Sequence, residues 1–370
     1  PAIRTDQISA MTTGQVSQLS SAQFAAMTSA QLAVLTTAQV VGLTSAQLNS
    51  MNASAFGYLR IDQLAALTTA QFSALSTGRV ASLTSSQLSG VTTAQLSTMT
   101  TAQVQAFTTA SISAMSVAQV QSFDSAQIAA MSNAQVQTIA IDGVAGLSTD
   151  IISVLTSAQI ESLTDTQLQI LTTDQVASLT TAQLVALSTS DLATLKGAQI
   201  GALTTDQIAA LTTAQIAAME VIDFLSIETS DISALTSAQI GALTNTHLGA
   251  MRTSQIAALT TAQIGGLTTA QINNLASVAV SAFTTDQLGV ITSAQLGAIA
   301  VSSVSAITTD QLAVITTTQM GGLSASQFNA FSTDQVVAFS TAQIAGITTA
   351  QLSSIETTFF DVLTTDQVPV

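Results

Sequence analysis

The sequence contains no cysteine and no tryptophan, which excludes disulfides, thiolate metal sites and indole stacking platforms. Five basic residues stand against twenty acidic ones, and the net charge is −15. A surface of this charge repels a phosphate backbone, so we expect no nucleic acid partner. No apolar run approaches the roughly 18 residues that a membrane-spanning helix needs, so no membrane span is expected either.

What the sequence has instead is one octapeptide, seen most clearly from Leu203 to Met219 as LTTDQIAA-LTTAQIAA-M. Numbered 1 to 8 from Leu203, the octad runs from Ile3 to Val370 without insertion or deletion and repeats 46 times. Each unit of such an array packs only on its neighbours. We therefore predict a single repeat array over residues 3–370, with no separate domains.

Three positions of the octad are nearly invariant along the chain. Positions 1 and 6 are apolar in all 46 octads, and position 5 is glutamine in 34 of them. The other twelve octads carry, at position 5, Ala55, Arg79, Ser111, Gly143, Ile151, Asp191, Asp223, Asp231, His247, Ala279, Ser303 and Phe359. Positions 1 and 6 are predicted to form the core, and the Thr-Thr-x-Gln block between them is predicted to form a polar face.

Positions 2 to 5 read Thr/Ser-x-x-Gln, which is the capping box of a helix N-terminus. In the octad of Leu203 the cap is Thr204, and Gln207 returns to the backbone N–H of that cap. Leu203 and Ile208 then occupy the two positions of a hydrophobic staple. Because the next threonine cap follows eight residues later, we predict helices of about six residues, roughly 9 Å long.

The predicted fold class is therefore all-α, a solenoid of very short capped helices with one helix per octad. A β-solenoid is the alternative, favoured by the many threonines and β-branched residues. Positions 1 and 6 would face opposite sides of a strand, whereas position 6 and the next position 1 share a helical face. One continuous helix is disfavoured because a period of eight does not match 3.6 residues per turn.

A longer period of ten octads overlies the octad. Ile61, Ile141, Val221 and Val301 each put a branched apolar residue at position 3. One interpretation is geometric: the superhelix returns to an equivalent face every ten octads, and these residues form a row of exposed anchors for assembly. The number of octads per coil would then divide ten, with two favoured over five. The alternative is duplication of a ten-octad segment with inherited deviations. Phe359 and Phe360 are a further candidate pair for an end or interface contact.

No constellation of catalytic groups is present, so we expect a non-enzymatic protein without a cofactor. His247, the only histidine, stands on the predicted polar face and is interpreted as a tolerated substitution. The serines and threonines are explained as helix caps. Asp142, Asp223 and Asp231 offer oxygen ligands for calcium, but no Asp-x-Asp-x-Asp-Gly loop accompanies them. Specific calcium binding is kept as a lesser alternative.

The pattern Leu-Thr-x-x-Gln-Val/Ile-x-x-Leu resembles the first short helix of TAL-effector repeats over one octad. The second helix, the base-reading pair and the basic character of those repeats are missing, so DNA recognition is not implied. As a whole, the chain resembles the highly repetitive bacterial secreted and surface proteins of the adhesin-stalk, surface-layer, sheath or extracellular-filament type.

That resemblance implies an extracellular or cell-surface protein that builds a filament, sheath or coat by lateral or end-to-end self-assembly. The partner would then be a further copy of the chain. An adhesin-like module that binds glycans, cell-surface components or calcium is the alternative. Because neither the first nor the last octad has a polar capping unit, we also expect the array to continue beyond the given residues or to polymerise end to end.

Overall fold

The computed structural model of the chain describes residues 3–368, and the regular structure in that range is entirely helical, without strands. This confirms the all-α solenoid over the β-solenoid. The chain is divided into two compact units, unit 1 ending at Leu187 and unit 2 beginning at Ser188. The division falls between positions 1 and 2 of an octad.

Unit 1 contains helices α1 to α23, each four to six residues long. In chain order they are Thr5–Ala10, Thr13–Ser17, Ser21–Ala25, Ser29–Ala33, Thr37–Val41, Ser45–Ser50, Ala53–Phe56, Ile61–Ala66, Thr69–Ser73, Thr77–Ala81, Ser85–Leu88, Thr93–Leu96, Thr101–Gln105, Thr109–Ser113, Val117–Gln121, Ser125–Ala129, Asn133–Gln137, Ile141–Ala145, Thr149–Val154, Ser157–Glu161, Asp165–Ile170, Thr173–Ala177 and Thr181–Ala186.

Unit 2 contains helices α24 to α45, of the same lengths. In chain order they are Thr189–Thr194, Gly197–Ile200, Thr205–Ala210, Thr213–Ala218, Val221–Phe224, Thr229–Ile232, Ser237–Ala242, Asn245–Ala250, Thr253–Ala258, Thr261–Gly265, Thr269–Asn273, Ser277–Ser281, Thr285–Val290, Ser293–Ala298, Val301–Val304, Thr309–Ala313, Thr317–Met320, Ala325–Phe328, Thr333–Ala338, Thr341–Ala345, Thr349–Leu352 and Thr357–Phe360.

Each helix begins at position 3, and in most octads the preceding threonine or serine caps it. At α26 the Thr204 hydroxyl accepts from the Gln207 N–H at 3.3 Å, and the Thr204 N–H donates to Gln207 Oε1 at 2.7 Å. The predicted capping box is thus confirmed. Leu203 and Ile208, the predicted staple residues, are both buried.

The helices are joined without any residue in the left-handed conformation, among the residues described. Between α26 and α27 the chain turns through two extended residues, Leu211 at φ −56° and ψ 142° and Thr212 at φ −72° and ψ 156°. Extended backbone of this kind is open to any side chain. An apolar residue at position 1 can therefore occupy the turn and point into the core.

Successive coils are formed by helices three apart in the sequence. In unit 1, α3 packs on α6 and α5 on α8; in unit 2, α24 packs on α27 and α27 on α30. Side chains of one coil bond to backbone atoms 25 to 31 residues earlier or later. One coil therefore holds more than three octads and fewer than four.

The expectation of two octads per coil is wrong, as is the expectation of five. Both assumed that a coil contains a whole number of octads. With 25 to 31 residues between bonded partners on neighbouring coils, ten octads correspond most closely to three coils. The ten-octad period therefore remains compatible with a geometric origin, but through three coils rather than through a divisor of ten.

Candidate functional site

The position-5 glutamines connect neighbouring coils, a role that was not predicted from the sequence. Gln95 Oε1 accepts from the Thr92 N–H of its own octad at 2.8 Å. Its Nε2 donates to the carbonyl oxygens of Leu64 and Leu67 in the preceding coil, at 2.9 and 2.7 Å. Gln95 is 1% exposed. Position 5 is therefore buried in most octads, and the polar face predicted from the sequence contacts the neighbouring coil at this position.

The same arrangement is present in unit 2. Gln319 Nε2 donates to Leu288 O at 2.9 Å and to Ile291 O at 2.7 Å, and its Oε1 accepts from the Thr316 N–H at 2.7 Å. As for Gln95, the two acceptors lie 31 and 28 residues earlier, at positions 6 and 1. The glutamines thus form a ladder of buried carboxamides along each unit, and this ladder holds the coils together.

His247, interpreted from the sequence as a tolerated substitution on the polar face, takes the place of a glutamine in this ladder and is buried there. It is 3% exposed, and its ring lies edge-on to Phe224. Nε2 lies 3.0 Å from Met219 O, and Nδ1 lies 2.6 Å from Thr244 Oγ1. Since a carbonyl can only accept, the geometry assigns the proton to Nε2, and Nδ1 accepts from the Thr244 hydroxyl. The imidazole therefore reproduces part of the glutamine bonding.

Asp223 also replaces a glutamine, but a carboxylate cannot donate to the two carbonyls that face position 5. Burial raises the pKa of Asp223, the nearby carboxylate of Glu220 raises it further, and a hydrogen bond with Gly197 opposes the shift. Asp231, another of the replacements, accepts from the Thr205 hydroxyl at 2.6 Å. These octads keep the helix but lose the pair of donated bonds.

The candidate assembly residues at position 3 are the first residues of their helices. Ile61 begins α8, Ile141 begins α18 and Val301 begins α38, and their exposed fractions are 47%, 41% and 46%. Val221 begins α28 but is half-buried, and the adjacent Ile222 is 68% exposed. At that octad the most exposed aliphatic residue is therefore Ile222, which was not among the residues predicted from the sequence.

These four octads share a second departure, which is the loss of the helix cap. Position 2 is Arg60, Ala140, Glu220 or Ala300, and none of these side chains makes a cap hydrogen bond. An alanine in place of a capping residue typically costs about 1 kcal/mol of stability. At these four octads an aliphatic residue at position 3 and a missing cap occur together, while helices such as α25, α29 and α35 lack the cap bond alone.

The surface beside Ile61 is shaped by close contact with the next coil. A Cβ on Gly90 would lie 2.5 Å from Ile61 Cγ2 and 2.7 Å from Ile61 O, so only glycine fits there. The residue that stands in the same relation to Ile141 is Ile170, which is 40% exposed. The aliphatic surface is thus wider at Ile141, where two isoleucines hold neighbouring positions.

Phe359 and Phe360 belong to an aromatic cluster in unit 2. The Phe359 ring lies 5.7 Å from Phe328, 6.5 Å from Phe339 and 5.5 Å from Phe360, measured between centroids. Phe359 is 3% exposed and Phe360 is partly exposed. In the described chain the Phe359 ring is therefore occupied by internal packing, and Phe360 presents the accessible part of the pair.

The aspartates considered for calcium lie in separate octads. Asp142 is exposed, Asp223 is partly exposed and Asp231 is buried. Residues 3–368 include no group of three or more His, Cys, Asp or Glu side chains placed to hold a metal ion. Over the same range, no helix has the length and apolar character that a membrane crossing requires.

These features define the class of the protein as an all-α repeat solenoid built from capped octads. The sequence model of the ALTTAQ repeat family matches residues 1–37, 19–53, 184–221, 224–261, 245–277 and 304–341, together just under half of the chain. The chain is thus similar to ALTTAQ repeats in both units. No curated protein matches it.

Proposed function

We propose that the protein is a non-enzymatic structural repeat protein that self-assembles through its sides into an extracellular filament, sheath or surface coat. The observation that carries this proposal is the exposure of Ile61, Ile141 and Val301 at position 3, where most octads carry threonine or serine. Burial of one such aliphatic side chain is worth about 1.5 to 3 kcal/mol, so repeated contacts of this kind would drive association.

The bonding of the repeat supports a structural role. Cap hydroxyls such as that of Thr92 and carboxamides such as that of Gln95 are used in bonds within and between octads. These polar groups are engaged in the bonding of the solenoid itself. An assembly made by sideways contacts leaves the bonding of every octad unchanged.

The octads of Ile61, Ile141, Val221 and Val301 also have weaker helix starts, although seven other helices of the described chain lack a side-chain cap bond as well. Helices α8, α18, α28 and α38 have no cap bond from the side chain at position 2. A contact with a second copy would offset the roughly 1 kcal/mol that each missing cap costs. Within unit 1, the ten-octad spacing of Ile61 and Ile141 also suits a second copy, because a surface with the same repeat matches both residues.

The test compares the wild-type chain with the double variant Ile61→Thr/Ile141→Thr, in which position 3 carries the residue common in other octads. Sedimentation and negative-stain electron microscopy are expected to show filaments or sheets for the wild type. The critical concentration of the variant should rise about tenfold or more, since about 1.4 kcal/mol is a factor of ten.

Val41→Thr/Val185→Thr is the matched control, because these valines at position 7 are 46% and 39% exposed. This control should assemble like the wild type. Assembly through position 3 would be contradicted if the wild type showed only monomers. It would also be contradicted if the critical concentration rose equally in both double variants. Stoichiometric binding of calcium or glycans by such a monomer, measured by calorimetry, would favour the adhesin-like alternative.

A further inference from the structure

One octad that lacks the position-5 glutamine receives its cap from another coil. Arg79 stands in place of the glutamine and offers no acceptor for the Ser76 N–H. That N–H donates instead to Asn49 Oδ1 at 2.7 Å, while Asn49 Nδ2 donates to Ala74 O at 2.8 Å. Asn49 lies 27 residues before Ser76, at position 7 of an octad in the preceding coil.

A second octad, in unit 2, shows the same bond to an asparagine of the preceding coil. Phe359 replaces the glutamine, and the Glu356 N–H donates to Asn329 Oδ1 at 2.9 Å, again across 27 residues. Neither Ser76 nor Glu356 makes a side-chain cap bond of its own. In both octads an asparagine from the preceding coil therefore satisfies the backbone donor that the glutamine would otherwise satisfy.

The sequence contains this pairing independently of the structure. Position 7 carries asparagine in three octads, at Asn49, Asn273 and Asn329. Thirty residues later stand the position-5 residues Arg79, Ser303 and Phe359, and all three belong to the twelve octads without a position-5 glutamine. Among the described residues the bond between coils is formed at Asn49 and Asn329, and not at Asn273. The contact between such positions is direct at Asn49 and Arg79, where the guanidinium donates to Asn49 O at 3.4 Å.

We propose that Asn49 and Asn329 are inter-coil caps that fix the register in which coils stack. Octads of near-identical sequence could pair with the wrong neighbour, because positions 1, 5 and 6 are alike in most of them. The Oδ1 atom of an asparagine at position 7 accepts from the position-2 N–H of the opposing octad. That N–H is available only where the opposing octad has no position-5 glutamine to accept from it. A slip by one octad leaves that N–H without an acceptor, which disfavours the slipped pairing.

The test is a double-variant cycle read by hydrogen exchange at the Ser76 amide, resolved by mass spectrometry with electron-transfer fragmentation. Asn49→Ala should speed exchange of this amide about five- to tenfold, as expected for loss of one hydrogen bond. In the Arg79→Gln background the restored glutamine caps Ser76 locally, so Asn49→Ala should change the rate by about twofold or less. Equal effects in the two backgrounds would overturn the proposal.

A displaced asparagine tests the register. In Asn49→Ala/Gly57→Asn the asparagine moves by one octad and faces Thr84, whose N–H already donates to Gln87 Oε1 at 3.0 Å. The Ser76 amide should exchange as fast as in Asn49→Ala alone. Restored protection would show that the pairing is not specific and would overturn the proposal.

In unit 2, Asn329→Ala should speed exchange of the Glu356 amide by the same factor. Asn274→Ala is the matched control, because the Asn274 side chain donates to Ala270 O in the helix that it directly follows. This control should leave the Glu356 amide unchanged. An equal acceleration by both variants would count against an inter-coil cap at Asn329.

Discussion

At the scale of the residue, the position-5 glutamine combines two functions in one side chain. Its Oε1 accepts from the cap N–H of its own octad, and its Nε2 donates to two carbonyls of the preceding coil, as at Gln95. Glutamate has the acceptor but no donor, and asparagine is shorter by one methylene group. This dual requirement explains why the position is glutamine in 34 of 46 octads, although glutamate serves equally well in a capping box.

Gln95→Glu should therefore destabilise unit 1 although it preserves the capping acceptor. The substitution removes both bonds to Leu64 O and Leu67 O and places a buried carboxylate against two carbonyl oxygens. We expect a loss of about 3 kcal/mol or more in the free energy of unfolding, measured by urea denaturation followed by circular dichroism.

Gln15→Glu is the matched control for that substitution. The Gln15 side chain is exposed and also caps a threonine, with the Thr12 N–H donating to its Oε1 at 2.8 Å. Its hydrogen bonds in the described residues stay within its own octad. Its substitution should change stability by about 0.5 kcal/mol or less, and a similar loss for both variants would contradict the inter-coil role.

Asp223→Gln should stabilise unit 2, because it restores donors to Leu192 O and Leu195 O, the counterparts of the carbonyls that glutamines reach in other octads. The expected gain is about 1 to 2 kcal/mol at neutral pH. Asp223→Asn removes the negative charge, but its side chain is one methylene group shorter than that of glutamine. It should therefore recover only part of the gain in the free energy of unfolding. Urea denaturation of the three proteins measures the difference.

The pH dependence of that gain follows from the raised pKa of Asp223. A raised pKa means that the folded state binds the proton more tightly, so ionised Asp223 lowers the stability of the wild type above the folded-state pKa. This loss of stability disappears as the pH falls through the folded-state pKa of Asp223 towards its lower unfolded-state pKa. The advantage of Asp223→Gln should therefore be largest at neutral pH and shrink in acid, and a constant advantage would contradict this cause.

At the scale of the element, the helices are far shorter than the roughly 12 to 15 residues at which an isolated helix becomes marginally stable in water. Their stability comes from contact with the helix three further along the chain, as for α37 and α40. Close approach at this contact depends on individual glycines. A Cβ on Gly322 would lie 2.1 Å from Ser293 O, a backbone atom that cannot move away alone.

Gly322→Ala should consequently destabilise unit 2 by about 1 to 3 kcal/mol, because the added methyl group forces two coils apart. Gly289→Ala is the matched control, since nothing lies within 4 Å of a Cβ at that helical residue. It should instead stabilise by about 0.5 to 1 kcal/mol through helix propensity. Thermal unfolding should show a lower Tm for Gly322→Ala and a higher Tm for Gly289→Ala than for the wild type.

At the scale of the whole molecule, the net charge of −15 opposes the proposed self-assembly, because copies of the chain repel each other. Added salt screens this repulsion: the Debye length falls from about 30 Å at 0.01 M to about 8 Å at 0.15 M. Light scattering should therefore show assembly increasing with NaCl over this range. Assembly that falls with salt would contradict an aliphatic contact between like-charged copies.

The same measurement separates screening from specific calcium binding. At equal ionic strength, NaCl and CaCl₂ should promote assembly to a comparable extent if screening is the cause. A response to calcium far beyond that of NaCl would point to carboxylate ligands, with Asp223 and Asp231 the first candidates for substitution. This comparison therefore tests the lesser alternative of calcium binding on the same material.

The local features of the fold could be predicted from the sequence because they depend on residues within one octad. The cap at Thr204, the start of α26 at position 3 and the burial of Leu203 and Ile208 all follow from spacings within a single octad. The second bond of each glutamine could not be predicted, since its acceptors lie 28 and 31 residues away. The burial of position 5, and of His247 with it, depends on the same neighbouring coil and could not be predicted either.

The sequence by itself determined the helical class, the start of each helix, an upper length of about six residues and the apolar core positions 1 and 6, because caps and apolar spacing act over one turn of helix. Only the tertiary structure decided how many octads form a coil. That number depends on the small rotation at each extended turn, such as Leu211 and Thr212, accumulated over more than three octads. The structure likewise decided that position 5 is buried, because burial there is created by the neighbouring coil and not by the octad itself.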